Sequence, residues 1–548
     1  MAWQQVAAKA QAEVRASIPE KWRLAPSVKY DKPDATAIVQ NCGILTPRQL
    51  EITSLGVTEL VTRMKQRTLT AVETTEAFCA RAAIAHQLVN CLTAFFPDEA
   101  LKTAAVVDET YAQTGELVGP LHGVPVAVKD MYVLRGHKAT FGYISFYERP
   151  PAQEDGVLVK VVKDAGAVIF GMTTMPQTGM ALETNSNLWG RTLNPFNPRF
   201  GSGGSSGGDG ALVALHGAPC SPLSSDIGGS IRAPAAFNGL YGIRPTSARP
   251  PHGGFVSVTS GNISIGISIG PCCHSLSDLK LITKQLVTHP TLPNEPSCGP
   301  PIWREIPTKP TKLRVGLLLR DGVVEPHPPV IRALLHTADK LRAAGHDVFE
   351  FHLPFDSWEV ALTTWPLYFQ TGGKEMNATM ASTGEPPIPA FQANIDVFKP
   401  KELTVPELWK LNTQSATYKH LLSQAWDRTA ASDLTSGDMM DVILCPSAAL
   451  AGAPHDFPQW WGYTAMWNLL DYPSVILPVK DFKIDPTIDL KDAAYEPKDN
   501  FYDRKNWEAY DPELWITQPM TVQIVGRPWR DEEMISACET VDSVINPS

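Results

Sequence analysis

Residues 199–245 read RFGSGGSSGGDGALVALHGAPCSPLSSDIGGSIRAPAAFNGLYGIRP, with two glycine clusters, 201–210 and 228–229, each wrapped around serine. A flexible Gly/Ser linker would have polar flanks; here Ala211 to Leu215 continues as a helix-like ALVAL, and a second apolar segment runs from Ile231 to Leu240. A phosphate-cradling loop would close on Gly-Lys-Ser/Thr, and no lysine lies within 199–245. What the stretch offers instead is a serine nucleophile, Ser230, preceded by two glycines. The backbone N–H groups of Ile227, Gly228, Gly229 and Ser230 can converge there on a developing negative oxygen.

A neutral alcohol attacks only with a base in reach. The single histidine of the stretch, His216, falls in the expected helix, and a better base stands upstream: Lys129 in GPLHGVPVAVKD. The run Val124-Pro125-Val126-Ala127-Val128 reads as a buried strand, so the lysine emerges from an apolar element. A lysine of ordinary pKa, about 10.4, serves as a base near neutrality only if burial depresses it by roughly two to three units.

GGSSGG at 203–208, DIGGSIRAPAAFNGLYGIRP at 226–245 and GVPVAVKD at 123–130 together resemble the amidase signature family, in that family's order and at about its spacing. AFCARAAIAHQL, FFPDEA, GYISFYE, GRTLNPFNP, DVILCPS and VQIVGRPW extend the resemblance nearly end to end, most closely to fungal acetamidase-type members. The resemblance implies a catalytic triad of Ser230 as nucleophile, Ser205 as the bridging serine on a cis peptide, and Lys129 as base. Preferring Ser205 to Ser206 rests on the family pattern, and the link from GGSSGG to DIGGS is one residue longer than usual there. It implies an α/β fold, the amidase-signature fold, with a large mixed β-sheet core covered by helices on both faces. No metal or organic cofactor is implied.

Composition is that of an ordinary globular protein, 43% hydrophobic and 19% charged over 548 residues, and the net charge of −10 disfavours nucleic acid or an anionic membrane as partner. Nine cysteines without CxxC pairs read as reduced thiols in a cytoplasmic protein, and Cys272-Cys273-His274 has no partner pair for zinc. The stretch MAWQQVAAKAQAEVRASIPEKWRL has charges throughout, so neither a signal peptide nor a membrane span is expected there, and no peroxisomal or retention signal is expected in Val544-Ile545-Asn546-Pro547-Ser548.

Residues 1–54 are expected to form a helical extension, with Val6, Ala10, Val14 and Ile18 at helical spacing, packing on the body or on a neighbouring subunit as in a homodimer. A single amidase domain follows over 55–540: a signature core at about 115–285, a Pro-rich external connector at 286–310, and a more variable part at 311–540. Helical patterning over 56–86, a strand at 90–96, a helix at 97–113, and a βαβ-like unit of 313–319, 329–344 and 347–353 imply β/α alternation.

Substrate-binding candidates are Met180 and Thr184 in GMTTMPQTGMALETNSN, and Met131 and Tyr143, with Phe141, in the loop after Lys129. Trp460 and Trp461, clustered with Tyr463 and Trp467, would make the substrate apolar and larger than acetamide if they line the cleft. The expected function is hydrolysis of a small-molecule amide. The alternatives are an acyltransferase or biosynthetic tailoring amidase with a dedicated apolar substrate, and a glutaminase-type subunit of a transamidation complex.

Overall fold

Pro125 to Val128 belong to a buried strand that ends in Lys129, and Val124, also buried, stands just before it. In the computed structural model, which describes residues 2–290, 295–307, 310–430 and 439–547, a three-stranded sheet is built from β1 (Leu92–Phe95), β2 (Pro125–Lys129) and β3 (Val168–Thr173). Its order is β1-β3-β2, with β3 antiparallel to β1 and parallel to β2. Every residue of β2 and β3 is buried, which accounts for the apolar runs that lead up to Lys129 and Thr173. A short pair, β4 (Asn185–Ser186) and β5 (Gly190–Arg191), follows.

The larger sheet has eight strands: β6 (Cys220–Asp226), β7 (Tyr241–Arg244), β8 (Ser268–Cys273), β9 (Arg314–Leu317), β10 (Asp347–Glu350), β11 (Val442–Cys445), β12 (Ser474–Pro478) and β13 (Thr521–Val525). Their order is β10-β9-β11-β13-β12-β7-β8-β6. The pairs of β9 with β10 and with β11 are parallel and the others antiparallel, so the sheet is mixed. Helix Pro328–Ala343 links β9 to its parallel neighbour β10, the βαβ unit the pattern predicts.

Side chains alternate along a strand, and β7 shows what each face meets. Tyr241 and Ile243 join the core cluster that holds Leu279 and Ile282 of helix Leu276–Thr288, whereas a Cβ on Gly242 would stand 2.6 Å from Ala235 of helix Arg232–Phe237. Helices therefore cover both faces.

The N-terminal helix, Trp3–Ala16, sets Val6, Ala7, Ala10 and Val14 against Ile144, Tyr147, Leu188 and Trp189, on the body of the same chain. The helical pattern at 56–86 divides into Val57–Lys65 and Ala71–Val89, the second restarted by Thr70 accepting from the Glu73 N–H. The connector begins later than expected, because helix Leu276–Thr288 runs through its first residues. Nor is it detached: Arg304 pairs with Glu532 and Glu533. Connector residues 291–294 and 308–309 lie outside the described residues.

Candidate active site

Lys129 closes β2, fully buried, and its Nζ meets three hydroxyls: Ser205 at 2.8 Å, Ser206 at 2.9 Å and Ser225 at 2.9 Å. Burial pulls its pKa from 10.5 down to about 8, against the opposing influence of Asp209, Asp226 and Cys272. Ser205 and Ser206 lie in the glycine loop after residue 201, and the Gly204–Ser205 peptide bond is cis. The loop packs tightly against the chain beside it: a Cβ on Gly204 would stand 2.5 Å from the Ala181 carbonyl oxygen. The helix that follows, Gly207–Ala214, starts inside the glycine run, earlier than its apolar residues suggest.

The Ser230 turn is held from beneath by Asp226. That carboxylate accepts from the N–H groups of Gly229 (2.8 Å) and Ile231 (3.1 Å), from Asn468 Nδ2 (2.9 Å), and from Arg232 through Nε and Nη2 at 3.0 Å each. Burial alone would raise the Asp226 pKa; the Arg232 guanidinium more than offsets it and holds the group ionised below the usual carboxylate range. Arg232 also donates to the Thr464 carbonyl and to Gln523, tying the turn to β13. Two further hydroxyls fix the turn's carbonyls: Tyr368 bonds Ile227 O and Thr464 bonds Gly228 O, both at 2.7 Å.

Of the four amides expected to form an oxyanion hole, Gly229 is already committed to Asp226, so among the described residues Ile227, Gly228 and Ser230 are the three without an acceptor. The Ser230 hydroxyl makes no hydrogen bond to a described residue, and Ser230 lines a cleft of about 540 Å³ together with Ser205 and Ser225. Ser206 does not line it and is 0% exposed, which separates the two adjacent serines by position where hydrogen bonding to Lys129 does not.

Of the expected substrate-binding residues, Met131 and Met180 line this cleft, with Phe141, Met175, Ile227 and Met376. No Asp, Glu, Lys or Arg is among the lining residues. The other expected contacts fall elsewhere. Thr184 clamps the glycine loop, donating to Gly203 O (2.9 Å) and accepting from the Gly207 N–H (3.0 Å). Tyr143 is fully buried behind Phe141, its ring stacked on it at 6.2 Å. Trp460 turns its indole N–H to Asp321 Oδ2 (2.5 Å), away from the cleft, because a buried N–H requires an acceptor. Trp461 packs behind the Ser230 turn, where a Cβ on Gly228 would stand 2.9 Å from its ring, and against Trp365 at 5.0 Å. Tyr463 and Trp467 are core residues as well.

Sequence reasoning missed Ser225, Asp226 and Asp209. Asp209, on the helix after the glycine loop, accepts from Thr173 (2.5 Å) and Ser224 (2.7 Å). The serine doublet Ser224-Ser225 immediately before DIGGS was the available signal. Also missed was the far wall of the cleft, drawn from residues 252–267. Among the described residues no group of three His, Cys, Asp or Glu side chains is placed to hold a metal, and no helix is long and apolar enough to cross a membrane.

A buried lysine joined to serines beside a serine-bearing glycine turn suits acyl-transfer chemistry, and the comparisons supply the class. The amidase family model matches residues 73–535. An amidase of Gibberella zeae is 50% identical over 547 residues, covering 100% of both chains, and an acetamidase of Emericella nidulans is 34% identical over 552 residues, covering 99% of this chain and 98% of its own. The solved structure of a fatty acid amide hydrolase superposes with a TM-score of 0.93 at 30% identity, covering 99% of this chain and 95% of the other. The chain belongs to the amidase signature family and is a hydrolase acting on amides.

Proposed function

We propose that the protein cleaves a carboxylic amide with an apolar acyl group larger than acetyl, through Ser230, Ser205 and Lys129. The observation that carries this is the buried, depressed Lys129 bonded to Ser205, which shares with Ser230 one cleft that no Asp, Glu, Lys or Arg lines. Neutral Lys129 takes the Ser205 proton as Ser205 takes that of Ser230, whose oxygen attacks the carbonyl carbon. The relay requires the Ser230 O–H to turn towards Ser205. The Ile227, Gly228 and Ser230 amides stabilise the oxyanion, and Asp226 keeps the turn rigid. Collapse of the tetrahedral intermediate expels the amine or ammonia, which takes the proton back through Ser205. Water, activated by the same relay, then releases the acid from the acyl-enzyme.

The cleft volume, about 540 Å³, falls in the small-molecule pocket range of roughly 300–1,000 Å³. Its wall of methionines, Phe141 and Ile227 suits an acyl group with no charge. Glutamine carries an ammonium and a carboxylate that call for ionic partners, and the lining supplies none, so the glutaminase reading is disfavoured. Buried thiols such as Cys79, Cys91 and Cys538 suit a reducing compartment, which favours the cytoplasm.

The test is product release from a graded panel of amides, from acetamide through longer alkyl to aryl acyl groups, with Ser230→Ala and Lys129→Ala as controls. The expected result is a kcat/KM that rises with acyl size and disappears in both variants. A maximum at acetamide would overturn the substrate class; undiminished turnover in either variant would overturn the triad. Adding an amine to the same assay reads out acyl transfer as an aminolysis product.

A further inference from the structure

We propose that Ser225 is a positioning residue that aims the lone pair of neutral Lys129 at Ser205, and that the Met131 thioether fixes the direction in which the Ser225 hydroxyl points. The inference rests on Lys129 acting as the base. A neutral amine has two N–H donors and one lone pair, yet Nζ has three hydroxyl partners at 2.8 to 2.9 Å. For the lone pair to face Ser205, both N–H groups must go to Ser206 and Ser225, and those oxygens must accept. An oxygen whose own proton points at Nζ competes with Ser205 for that lone pair, so the other two hydroxyl protons need acceptors of their own.

The structure supplies them. Ser225 Oγ has the Met131 sulfur at 3.2 Å, and Ser206 Oγ has the Ser225 carbonyl oxygen at 3.5 Å. Ser205 alone of the three has no other acceptor among the described residues, so its proton is the one directed at Nζ. Met131 belongs to the loop after β2 and Ser225 to β6, so the device joins the two sheets. The charged or titratable groups acting on Lys129 are Asp209 from helix Gly207–Ala214, Asp226 from β6 and Cys272 from β8. None of them touches Nζ.

The experiment measures kcat and kcat/KM against pH on one cleaved amide for the wild type, Ser225→Ala, Ser225→Thr and Met131→Leu, with Lys129→Ala and Ser205→Ala as references. Ser225→Ala should lower the high-pH plateau of kcat by about tenfold, because the lone pair is no longer held on Ser205. It should also move the acidic limb down by about half a pH unit, because the ammonium loses an acceptor. Ser225→Thr keeps the hydroxyl and should restore both. Met131→Leu should lower the plateau by about threefold and shift the limb the same way, since the freed hydroxyl can then donate to the amine. A merely structural role for Ser225 would lower the plateau without moving the limb, and that result would overturn the proposal. So would a threonine variant as impaired as the alanine one. Should Ser225→Ala fail to fold, Met131→Leu decides: a profile identical to the wild type overturns the inference. Wild-type turnover in either reference variant would instead remove the triad itself.

Discussion

Raising the pH through 8 should switch the enzyme on, and the structure sets the size of the effect. In the proposed mechanism the catalytic form carries neutral Lys129, whose pKa is brought by burial from 10.5 to about 8. At pH 7 about one molecule in eleven then has the base ready, against roughly one in three thousand for a lysine of ordinary pKa, a gain of about 300-fold. Below pH 8, kcat/KM should climb about tenfold per pH unit, and it should level off near pH 9. The assay is initial-rate hydrolysis of an uncharged amide from pH 5.5 to 10, with stability checked at each pH. A limb above pH 9.5, or a profile with no acidic limb, would refute the account of Lys129 as a desolvated base.

The same shift has a consequence for stability, with a definite sign. The folded-state pKa lies below the unfolded one, so below pH 8 both states carry the proton and the fold bears the whole cost of a buried ammonium, about 3 kcal/mol. Between pH 8 and 10.5 only the unfolded chain retains the proton, and stability rises with pH; above 10.5 the cost is gone. Lys129→Met has no such group. The difference in unfolding free energy between wild type and Lys129→Met, measured in denaturant at pH 7 and again near 10.5, should therefore move by about 3 kcal/mol in the wild type's favour. Parallel curves would show that Lys129 keeps an ordinary pKa and would remove the physical basis of the rate prediction.

Asp226→Asn leaves the Arg232 guanidinium buried without its carboxylate and should destabilise the fold by about 3–5 kcal/mol in urea unfolding, with kcat collapsing at every pH. Gly229→Ala should be inactive: φ at Gly229 is +132°, and a Cβ there would stand 2.4 Å from Thr464 Oγ1, so the strain of about 1–3 kcal/mol falls on the Ser230 turn itself. Trp461→Ala should cost about 3–5 kcal/mol of stability, yet leave the order of preference among acyl groups unchanged on the amide panel. An altered order would mean that the ring reaches the cleft.

The elements legible in the sequence were those whose burial is one-sided and local. Val6, Ala10 and Val14 recur with the helical period because one face of a helix meets the body, and the run before Lys129 is apolar throughout because β2 is covered on both sides. Trp460 and Trp461 show the limit of such reasoning. An aromatic cluster signals apolar surroundings, but the choice between core and cleft is made by partners far along the chain, here Asp321 and Trp365. The cleft wall at 252–267 has no periodicity to betray it.

Ser225 was hidden for a deeper reason. Lys129 stands on the three-stranded sheet, whereas Ser225 stands on the edge strand of the eight-stranded one, with Ser230 in the turn that follows; among the described residues no backbone ladder pairs the two sheets. The distance from Lys129 to Ser230 is therefore set by side chains packed between β2 and β6, and at Lys129 the two sheets meet through its 2.9 Å contact with Ser225. A close-packed interface of this kind responds to changes of a single methylene. Substitutions in the apolar layer behind β2, such as Val126→Ala or Val128→Ala, should thus lower kcat by more than their loss of stability implies, a comparison open to parallel denaturation and steady-state measurements. Equal losses of activity and folded fraction would show that the two sheets hold the site without help from that packing.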